Sequence, residues 1–358
     1  MSYAKERLGN ISTLGLMSIM IVVLILSIVI AVSIGVVDIP YMDVYRILLH
    51  NITFGFIGDP LTLSHGTQYD IVWNIRSPRV FMAAVVGISL AMGGVVMQAT
   101  VQNPLADPYI LGMSSGASFG ATFAIAIGAS AVFTGILAST GIAVWAFVGA
   151  FVASLAVLGL SSAGGRMTSV KLVLSGVIIA SVFGAFSNLI VVLAASAEDI
   201  QTLTYWLLGS FASAQWYKIA IPLAAVIVCA IYFTTQIRSL NTMLMGDETA
   251  TTLGIDLAKK RRVYVLMVSL LTATAVCFCG MIGFVGLMIP HMVRGLTGNN
   301  HWKLLPISCL LGGIFMVWAD VLARTVLGGG ELPIGIITAI CGTPIFAYIM
   351  IKRAYSFA

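Results

Sequence analysis

Apolar residues run almost continuously through this chain and are interrupted only by short polar loops. A helix needs about 20 residues to cross a hydrocarbon core of about 30 Å, and the apolar runs predict ten such spans. Their approximate bounds are 14–36, 79–100, 109–128, 138–160, 170–195, 217–236, 263–281, 284–298, 305–327 and 333–351. A β-barrel would show alternating polarity in segments of about ten residues. The pattern therefore predicts an all-α polytopic membrane protein.

The apolar run from 263 to 298 decides the number of spans because it is too long for one crossing. Gly280, Gly283 and Gly286 favour a break into a helix, a tight turn and a short helix. One long tilted helix is the alternative, and it gives nine spans with the two chain ends on opposite sides.

The lysine and arginine residues favour ten spans. Thirteen then lie on one side and five on the other, and an excess of positive loop residues marks the cytoplasmic side. The thirteen are Lys5, Arg7, Arg166, Lys171, Arg238, Lys259, Lys260, Arg261, Arg262, Arg294, Lys303, Lys352 and Arg353, and the five are Arg46, Arg76, Arg79, Lys218 and Arg324. We therefore expect an uncleaved first span and both termini in the cytoplasm.

Composition excludes a water-soluble class and indicates a single transmembrane domain over residues 1–358. Of the 358 residues 59% are hydrophobic and 9% charged, whereas a soluble domain has about 25% charged residues. The net charge of +5 does not indicate a nucleic-acid partner, because the positive residues follow the topology. The five cysteines lie in apolar runs without a metal-binding or redox spacing, so we expect them to be packing residues.

Motifs for chemistry are missing from the sequence. No Gly-Lys-Ser/Thr follows a glycine-rich turn, no dinucleotide fingerprint follows a strand, and no Gly-x-Ser-x-Gly motif occurs. We therefore expect that this chain is not an enzyme and binds no cofactor. If ATP drives it, another subunit binds the ATP and its Mg²⁺.

The loop at about 240–262 is the most informative polar segment. Asp247 is expected to cap a helix of roughly two turns that Gly254 ends, and the basic run Lys259–Arg262 follows. A helix this short is unstable alone. On the cytoplasmic side it is suited to contact a soluble partner that pushes on the bundle.

Charged residues at the predicted outer side leave two interpretations open. Asp320 and Arg324 stand four residues apart on one helix face, either as a self-neutralising ion pair or with Arg324 facing a partner. Arg76 and Arg79 are expected to present positive charge outward. They either snorkel at the interface or dock an acidic protein surface, because arginine binds carboxylates in bidentate fashion.

Two further features concern helix starts and loops. Asp107-Pro108 resembles a helix start, and Gly112, Gly116 and Gly120 recur every fourth residue as a small-residue packing stripe. The outer loop 37–75 contains His50 and His65 but no metal-ligand spacing, so we expect a solvated loop. His291 follows Pro290, which is expected to bend its span, and a structural role for the histidine is favoured over a ligand role.

Seven segments carry a resemblance to a known family. In chain order they are Arg76–Arg79, Gln98–Gly116 (with Asn103-Pro104 and Asp107-Pro108), Trp206–Ser210, Gly246–Ala250, Ile282–Leu287 with Pro290-His291, Ala319-Asp320 with Ala323-Arg324, and Glu331–Gly335. With these segments the chain resembles the permease subunits of ATP-driven importers for iron-siderophores, haem and vitamin B12, the FecCD-type permeases. The resemblance extends from about Ile71 to Arg353. Ser77 departs from the aliphatic residue common in the family.

The resemblance implies a fold and a set of roles. The fold is that of type II ABC importer permeases, with ten transmembrane helices per subunit, in a multi-pass protein of a bacterial or archaeal cytoplasmic (inner) membrane. The implied partners are a second copy in a homodimer, two ATPase subunits and a substrate-binding protein, with membrane lipid around the bundle. A heterodimer with a related permease and the identity of the chelate stay open, with a siderophore first and haem or cobalamin as alternatives.

The resemblance also assigns residues. It implies that Arg76, Arg79 and Arg324 receive acidic residues of the binding protein, and that the substrate path follows the fifth and tenth spans. The ATPase coupling helix includes Gly246, Asp247, Glu248, Thr249, Ala250, Leu253 and Gly254. The inner gate includes Met167, Thr168, Ser169 and Lys171, and the structural motif residues are Asn103, Pro104, Asp107, Pro108, Gly112, Gly116, Pro290, His291 and Asp320.

The main rival is an ion-coupled secondary transporter of small solutes. It would need several carboxylates inside the membrane, and the sequence offers only Asp320 clearly. A membrane-embedded enzyme or a scaffold without transport are further rivals, and neither has a supporting motif.

Overall fold

The structure is a computed structural model that describes residues 13–57, 66–126, 128, 140–163, 165, 167–327 and 330–352. Helices hold most of these residues, and no strand occurs among them. The helices are α1 Thr13–Ser33, α2 Tyr41–Ile52, α3 Ser77–Thr100, α4 Met113–Ala126, α5 Gly141–Ser162, α6 Ser169–Ala194, α7 Ala197–Leu208, α8 Trp216–Thr235, α9 Ile237–Met243, α10 Asp247–Thr252, α11 Leu257–Cys279, α12 Val285–Thr297, α13 His301–Thr325 and α14 Ile334–Lys352. A helical segment, Thr67–Arg76, leads directly into α3.

Each of the ten predicted spans coincides with one helix, namely α1, α3, α4, α5, α6, α8, α11, α12, α13 and α14. In the described part of the chain, seven helices are long and apolar enough to cross a membrane by length and composition. The remaining three, α4, α12 and the apolar part of α14, are shorter. We name the ends of the bundle by the predicted orientation: the outer end carries Arg76, and the inner end carries α10.

The long apolar run divides where the glycines predicted a break. Helix α11 ends at Cys279, and Gly280 has a positive φ of 72° and lies against the backbone oxygen of Trp206. Phe284, with φ 69°, then precedes α12. The prediction for Gly286 was wrong, since it lies inside α12, where it packs against α3. Two helices with a short turn are therefore present instead of one tilted helix.

Helix α3 is the centre of the bundle, and nearly all its residues are buried. Two glycine pairs let neighbouring helices approach it closely, as small residues do in membrane bundles. A Cβ atom on Gly94 would lie 1.9 Å from the backbone oxygen of Gly286 in α12, and one on Gly87 would lie 2.2 Å from that of Gly312 in α13. No side chain larger than hydrogen fits at either contact without moving the helices apart.

The predicted glycine stripe is confirmed in part. Gly116 and Gly120 pack against α5, where a Cβ on either would lie 2.4 Å or less from a backbone oxygen. Gly112 is outside α4, because it ends a short 3-10 turn, Pro108–Leu111, in the left-handed conformation. Asp107 caps that turn by accepting a hydrogen bond from the backbone N–H of Tyr109 at 2.9 Å. The expected helix start is therefore a turn, and α4 begins at Met113.

Helix α6 is the least buried of the long helices. Its buried residues are only Leu172, Ser175, Gly176 and Ser187. Its exposed apolar side chains include Val170, Leu174, Val177, Ile178, Val182, Phe186 and Leu189. This face is suited to lipid or to another protein chain.

The outer loop 37–75 is more ordered than the sequence predicted. It contains α2, whose residues Val44, Ile47 and Leu48 are buried at helical spacing and pack in one cluster with α1 and α3. His50 is buried, and its Nδ1 atom lies 3.0 Å from the backbone oxygen of Ile57. His65 lies outside the described residues. The solvated-loop prediction was therefore wrong for residues 41–52, where a short amphipathic helix covers the bundle.

Candidate functional site

Two polar clusters occur at opposite ends of the bundle. The outer cluster consists of Arg76, Arg79, Asp320, Arg324 and Glu331, and the inner cluster of Gln102, Met167, Ser169, Asp247 and Arg261. Each one joins segments that are far apart in the sequence, and each contains residues that the sequence assigned to a partner contact.

Arg76 is held by backbone oxygen atoms at the end of α1. Its guanidinium donates to the carbonyls of Val32 and Ser33, each at 3.3 Å, and to that of Val37. The residue is only 5% exposed. A helix end leaves carbonyls without partners, and Arg76 supplies donors to these, so its charge faces inward.

Asp320 bridges two arginines in the outer cluster. Its carboxylate accepts a hydrogen bond of 2.7 Å from Nε of Arg79, and it lies 3.2 Å from Nε of Arg324. Arg324 also donates to the backbone oxygens of Ala31 and Ile34. The ion-pair interpretation of Asp320 and Arg324 is thus supported, and Arg79 joins the pair from another helix.

Glu331 forms the exposed rim of the outer cluster. Its carboxylate pairs with the second branch of the Arg79 guanidinium, and the Glu331 side chain is 43% exposed whereas that of Arg79 is 9% exposed. The expected outward presentation of Arg76 and Arg79 was therefore wrong for this conformation, because carbonyls and carboxylates of the chain itself bind both guanidinium groups. Their docking role stays a prediction.

At the inner end, α10 has the predicted position and a different cap. Gly246 precedes the helix with φ 101°, and no side chain caps it. Gly254, with φ 83°, follows its end, where Ile255 N–H donates to the backbone oxygen of Ala250 at 3.0 Å. Asp247 was predicted to be the cap, but its carboxylate instead binds other residues of the inner cluster.

Arg261 is the centre of the inner cluster, and its side chain is 1% exposed. Two of its nitrogens bind both oxygens of Asp247, at 2.8 and 2.9 Å. The same two nitrogens donate to the backbone oxygen of Met167 at 3.2 Å and to Oγ of Ser169 at 2.7 Å. Nε donates to the backbone oxygen of Thr100, the last residue of α3, at 3.1 Å. One side chain therefore joins α3, α6, α10 and α11.

Gln102 adds a second connection between α10 and the centre of the bundle. Its amide nitrogen donates at 2.7 Å both to Oδ1 of Asp247 and to the backbone oxygen of Met243. Gln102 adopts a positive φ of 54°, which is uncommon for a residue with a side chain. This backbone conformation directs the amide toward α10.

The predicted gate segment lies beside Arg261. Thr168 caps α6 by accepting a 3.2 Å hydrogen bond from the N–H of Lys171, and Nζ of Lys171 lies 3.5 Å from the backbone oxygen of Ala163. Met167 is buried, and the side chain of Ser169 binds Arg261. The structure thus places the segment at the inner end, and its gating role stays a prediction.

The other face of α10 is open to solvent. Glu248, Thr249, Thr251 and Thr252 are exposed, and Leu253 is 62% exposed. Ala250, in contrast, is fully buried against the bundle. The helix is therefore held on one side and free on the other, as a contact element for a second protein must be.

The remaining motif residues have structural contacts. Asn103 shapes the turn before Pro104, since its side-chain oxygen accepts from Leu105 N–H at 2.9 Å. Pro290 is buried inside α12, and His291 is half-buried. Within the described ranges, no three His, Cys, Asp or Glu side chains are grouped to hold a metal ion.

Sequence reasoning missed two important residues. Arg261 was counted only as a topology charge, although Tyr264, Val265 and Val268 follow it at helical spacing on a fully buried face, a pattern that indicates an inward arginine. Glu331 was noted only as part of a motif. Its pairing with Arg79, 252 residues away, has no local signal.

Comparison with known proteins gives consistent matches. A model of the FecCD transport family matches residues 23–352. A cobalamin import system permease protein of Halobacterium salinarum is 40% identical over 287 residues, which cover 80% of this chain and 75% of that protein. An Fe(3+)-citrate import system permease protein of Bacillus subtilis is 33% identical over 351 residues, which cover 98% of each. A solved metal-chelate type ABC transporter in an inward-facing conformation matches with a TM-score of 0.78 and 29% identity, covering 94% of this chain and 99% of that one.

Proposed function

The chain belongs to the FecCD transport family of importer permeases, and from this premise we propose that it moves a metal chelate through the membrane in an ATP-driven importer. A binding protein delivers the chelate at the outer end. Separate ATPase subunits contact α10 at the inner end, bind ATP and Mg²⁺, and supply the energy.

The observation that carries this proposal is the two-sided environment of α10. A helix of six residues has no independent stability, and here Asp247 and Ala250 anchor it to the bundle. Leu253, an exposed apolar residue on its free side, fits the enrichment of apolar side chains at the centres of protein interfaces. A partner that binds this side pushes directly on the bundle.

The outer cluster supports docking of an acidic protein surface. Glu331 is a half-exposed carboxylate on a buried arginine, so an incoming carboxylate can replace it on Arg79 without leaving a buried charge unpaired. Arg76 and Arg324 then hold the end of α1 in place beneath the docking surface. In this mechanism Arg79 receives the partner only after Glu331 moves aside.

The names of two relatives support a chelate as the substrate class. They specify cobalamin and ferric citrate, which are both metal complexes with organic ligands. We propose an iron chelate first, with a siderophore ahead of haem, and cobalamin as the alternative.

The proposed assembly has two copies of this chain, two ATPase subunits and one binding protein in a bacterial or archaeal inner membrane. The exposed apolar face of α6 from Leu174 to Leu189, beyond its first turn, supports the second copy, because a face of this kind needs lipid or protein to cover it. In this arrangement both termini lie in the cytoplasm, where thirteen of the eighteen basic residues are predicted.

Replacement of Leu253 by aspartate tests the ATPase contact. We expect the Leu253→Asp variant to lose at least about tenfold in affinity for the ATPase subunits, since a buried interface anchor contributes about 2 kcal/mol or more. Uptake of labelled chelates into proteoliposomes that contain this variant should fall together with its affinity for the ATPase subunits. The chelates to be tested are cyanocobalamin, ferric citrate, a ferric hydroxamate and haemin, each delivered by its binding protein.

Leu327 supplies the matched control. It is 55% exposed at the opposite end of the bundle, so Leu327→Asp should keep ATPase binding. Unchanged ATPase binding in Leu253→Asp would reject α10 as the contact. Uptake driven by an ion gradient without ATPase subunits would favour the secondary transporter instead.

A further inference from the structure

We propose that Arg261 is a positioning residue that transmits movement of α10 to the start of α6, where the substrate path is expected to close at its inner end. The inference rests on the proposed function, because it needs a partner that moves α10. It goes further by naming the side chain through which that movement reaches the gate segment and the contacts it uses.

Every N–H donor of the Arg261 guanidinium has an acceptor. A guanidinium has five N–H donors in a rigid planar fork, and five acceptors surround this one: two oxygens of Asp247, the backbone oxygens of Thr100 and Met167, and the hydroxyl of Ser169. Because the fork is planar, Asp247 cannot shift without pulling the guanidinium out of line with the other acceptors.

The five contacts of Arg261 belong to three different helices or helix ends. Asp247 is the first residue of α10, Met167 and Ser169 flank the start of α6, and Thr100 ends the central helix α3. The 2.7 Å bond from Arg261 to Ser169 is the shortest of the five. When α10 moves, the contact to Thr100 in α3 resists the movement. The contacts to Met167 and Ser169 transmit it to the start of α6.

The arginine end of the connection is also shielded from water. The Arg261 side chain is 1% exposed whereas that of Asp247 is 38% exposed, and a charge-assisted hydrogen bond is stronger where the surroundings are apolar. Gln102, with its positive φ, binds the same Asp247 oxygen as one branch of Arg261. Two side chains, those of Gln102 and Arg261, thus hold Asp247. They attach the start of α10 firmly to the bundle.

Ser169→Ala tests the inference, because it removes the hydroxyl that binds Arg261 and leaves the Asp247 pair intact. The reporter is a cysteine at the exposed position Val170, labelled by a charged maleimide in the full complex of permease, ATPase and binding protein. Background labelling of the five native cysteines is subtracted by use of the unmodified chain. The ATPase is studied without nucleotide and after trapping with ATP and vanadate.

We expect trapping to change the labelling rate of Val170→Cys by at least about fivefold, the lower end of typical allosteric coupling. With Ser169→Ala added, the change should fall below about twofold while the amount of trapped nucleotide stays the same. Ser169→Thr keeps a hydroxyl and should restore the response. Ser181→Ala is the matched control, because Ser181 lies on α6 and donates only within that helix.

The backbone oxygen of Met167 still binds Arg261 in Ser169→Ala, so Asp247→Asn is measured beside it and weakens the same connection from the α10 side. A full labelling response in both variants would overturn the inference, and so would a full response in Asp247→Asn if Ser169→Ala does not assemble. Normal ATPase binding with no response in Val170→Cys itself would also overturn it and leave the importer function standing. Failure of any ATPase to bind the unmodified chain would overturn both.

Discussion

Asp320→Asn provides a quantitative test of the outer cluster. The substitution keeps the shape of the side chain and removes the charge that faces two arginines, one at 2.7 Å and one at 3.2 Å. Asp320 is 0% exposed, and the side chains of Arg79 and Arg324 are 9% and 6% exposed. Two buried positive groups therefore lose the carboxylate they share.

The magnitude follows from the remaining contacts. Removal of one partner from a buried ion pair costs about 3–5 kcal/mol. Arg79 keeps Glu331, and Arg324 keeps the carbonyls of Ala31 and Ile34, so the lower end, about 3 kcal/mol, applies. The unfolding entropy of about 2.1 cal/mol/K per residue, taken over 358 residues, converts this loss into a fall in melting temperature of about 4 °C.

Thermal unfolding of the purified chain in detergent, followed by tryptophan fluorescence, measures this change. Asp43→Asn is the control, because the carboxylate of Asp43 is 37% exposed and lies 3.7 Å from Arg46, a surface pair worth about 0–1 kcal/mol. Equal melting temperatures for the two variants would refute the assignment of Asp320 as the buried centre of the cluster.

Three further predictions follow from individual contacts. Glu331→Gln should strengthen docking of the binding protein by up to about fivefold, because it removes an internal competitor worth about 1 kcal/mol at most. Gly94→Ala should lower the melting temperature, since its Cβ would lie 1.9 Å from a backbone oxygen of α12, and overpacking costs about 1–3 kcal/mol. Hydrogen bonds from Ser196 lower the pKa of Asp199. The charged carboxylate therefore stabilises α7 above the pKa that Asp199 has in the unfolded chain, and this stabilisation is lost as the pH falls below about 4. Hydrogen exchange protection of the α7 amides at pH 6 and pH 3 measures that loss.

Each of these predictions has a matched control. Glu198→Gln removes an exposed outer carboxylate away from the cluster and should leave docking unchanged, whereas weaker docking in Glu331→Gln would contradict the exchange mechanism. Gly184→Ala adds a methyl group where no atom lies within 4 Å, so a larger melting shift there than in Gly94→Ala would contradict the packing argument. Ser196→Ala removes the hydroxyl bond to Asp199 and keeps the bond from the backbone N–H, so it should reduce the pH dependence of α7, and an unchanged dependence would assign it to another group.

The long helices were predictable from the sequence because membrane insertion imposes one simple pattern. About 20 apolar residues per crossing located all ten, and the glycine at position 280 marked the division of the longest run. Helices α2, α7 and α9 were missed. Each has 12 residues or fewer, and its apolar face is too short to stand out beside the spans.

The clusters were less predictable because their partners are distant in the sequence. Arg79 was expected to face outward, and nothing near it indicates that Asp320 and Glu331 neutralise it across more than 240 residues. Asp247 at a helix start has the local pattern of a cap, yet a buried arginine offers two charge-assisted hydrogen bonds instead. In both places tertiary electrostatics override the local preference.

The central claim is that energy enters this chain through α10 from a separate ATPase. The most direct test is uptake of the chelate against its gradient in proteoliposomes that contain the permease and binding protein, with and without the ATPase subunits. We expect accumulation only when the ATPase subunits and ATP are both present. Accumulation by the permease alone, or in the presence of ATPase subunits that cannot hydrolyse ATP, would contradict the claim.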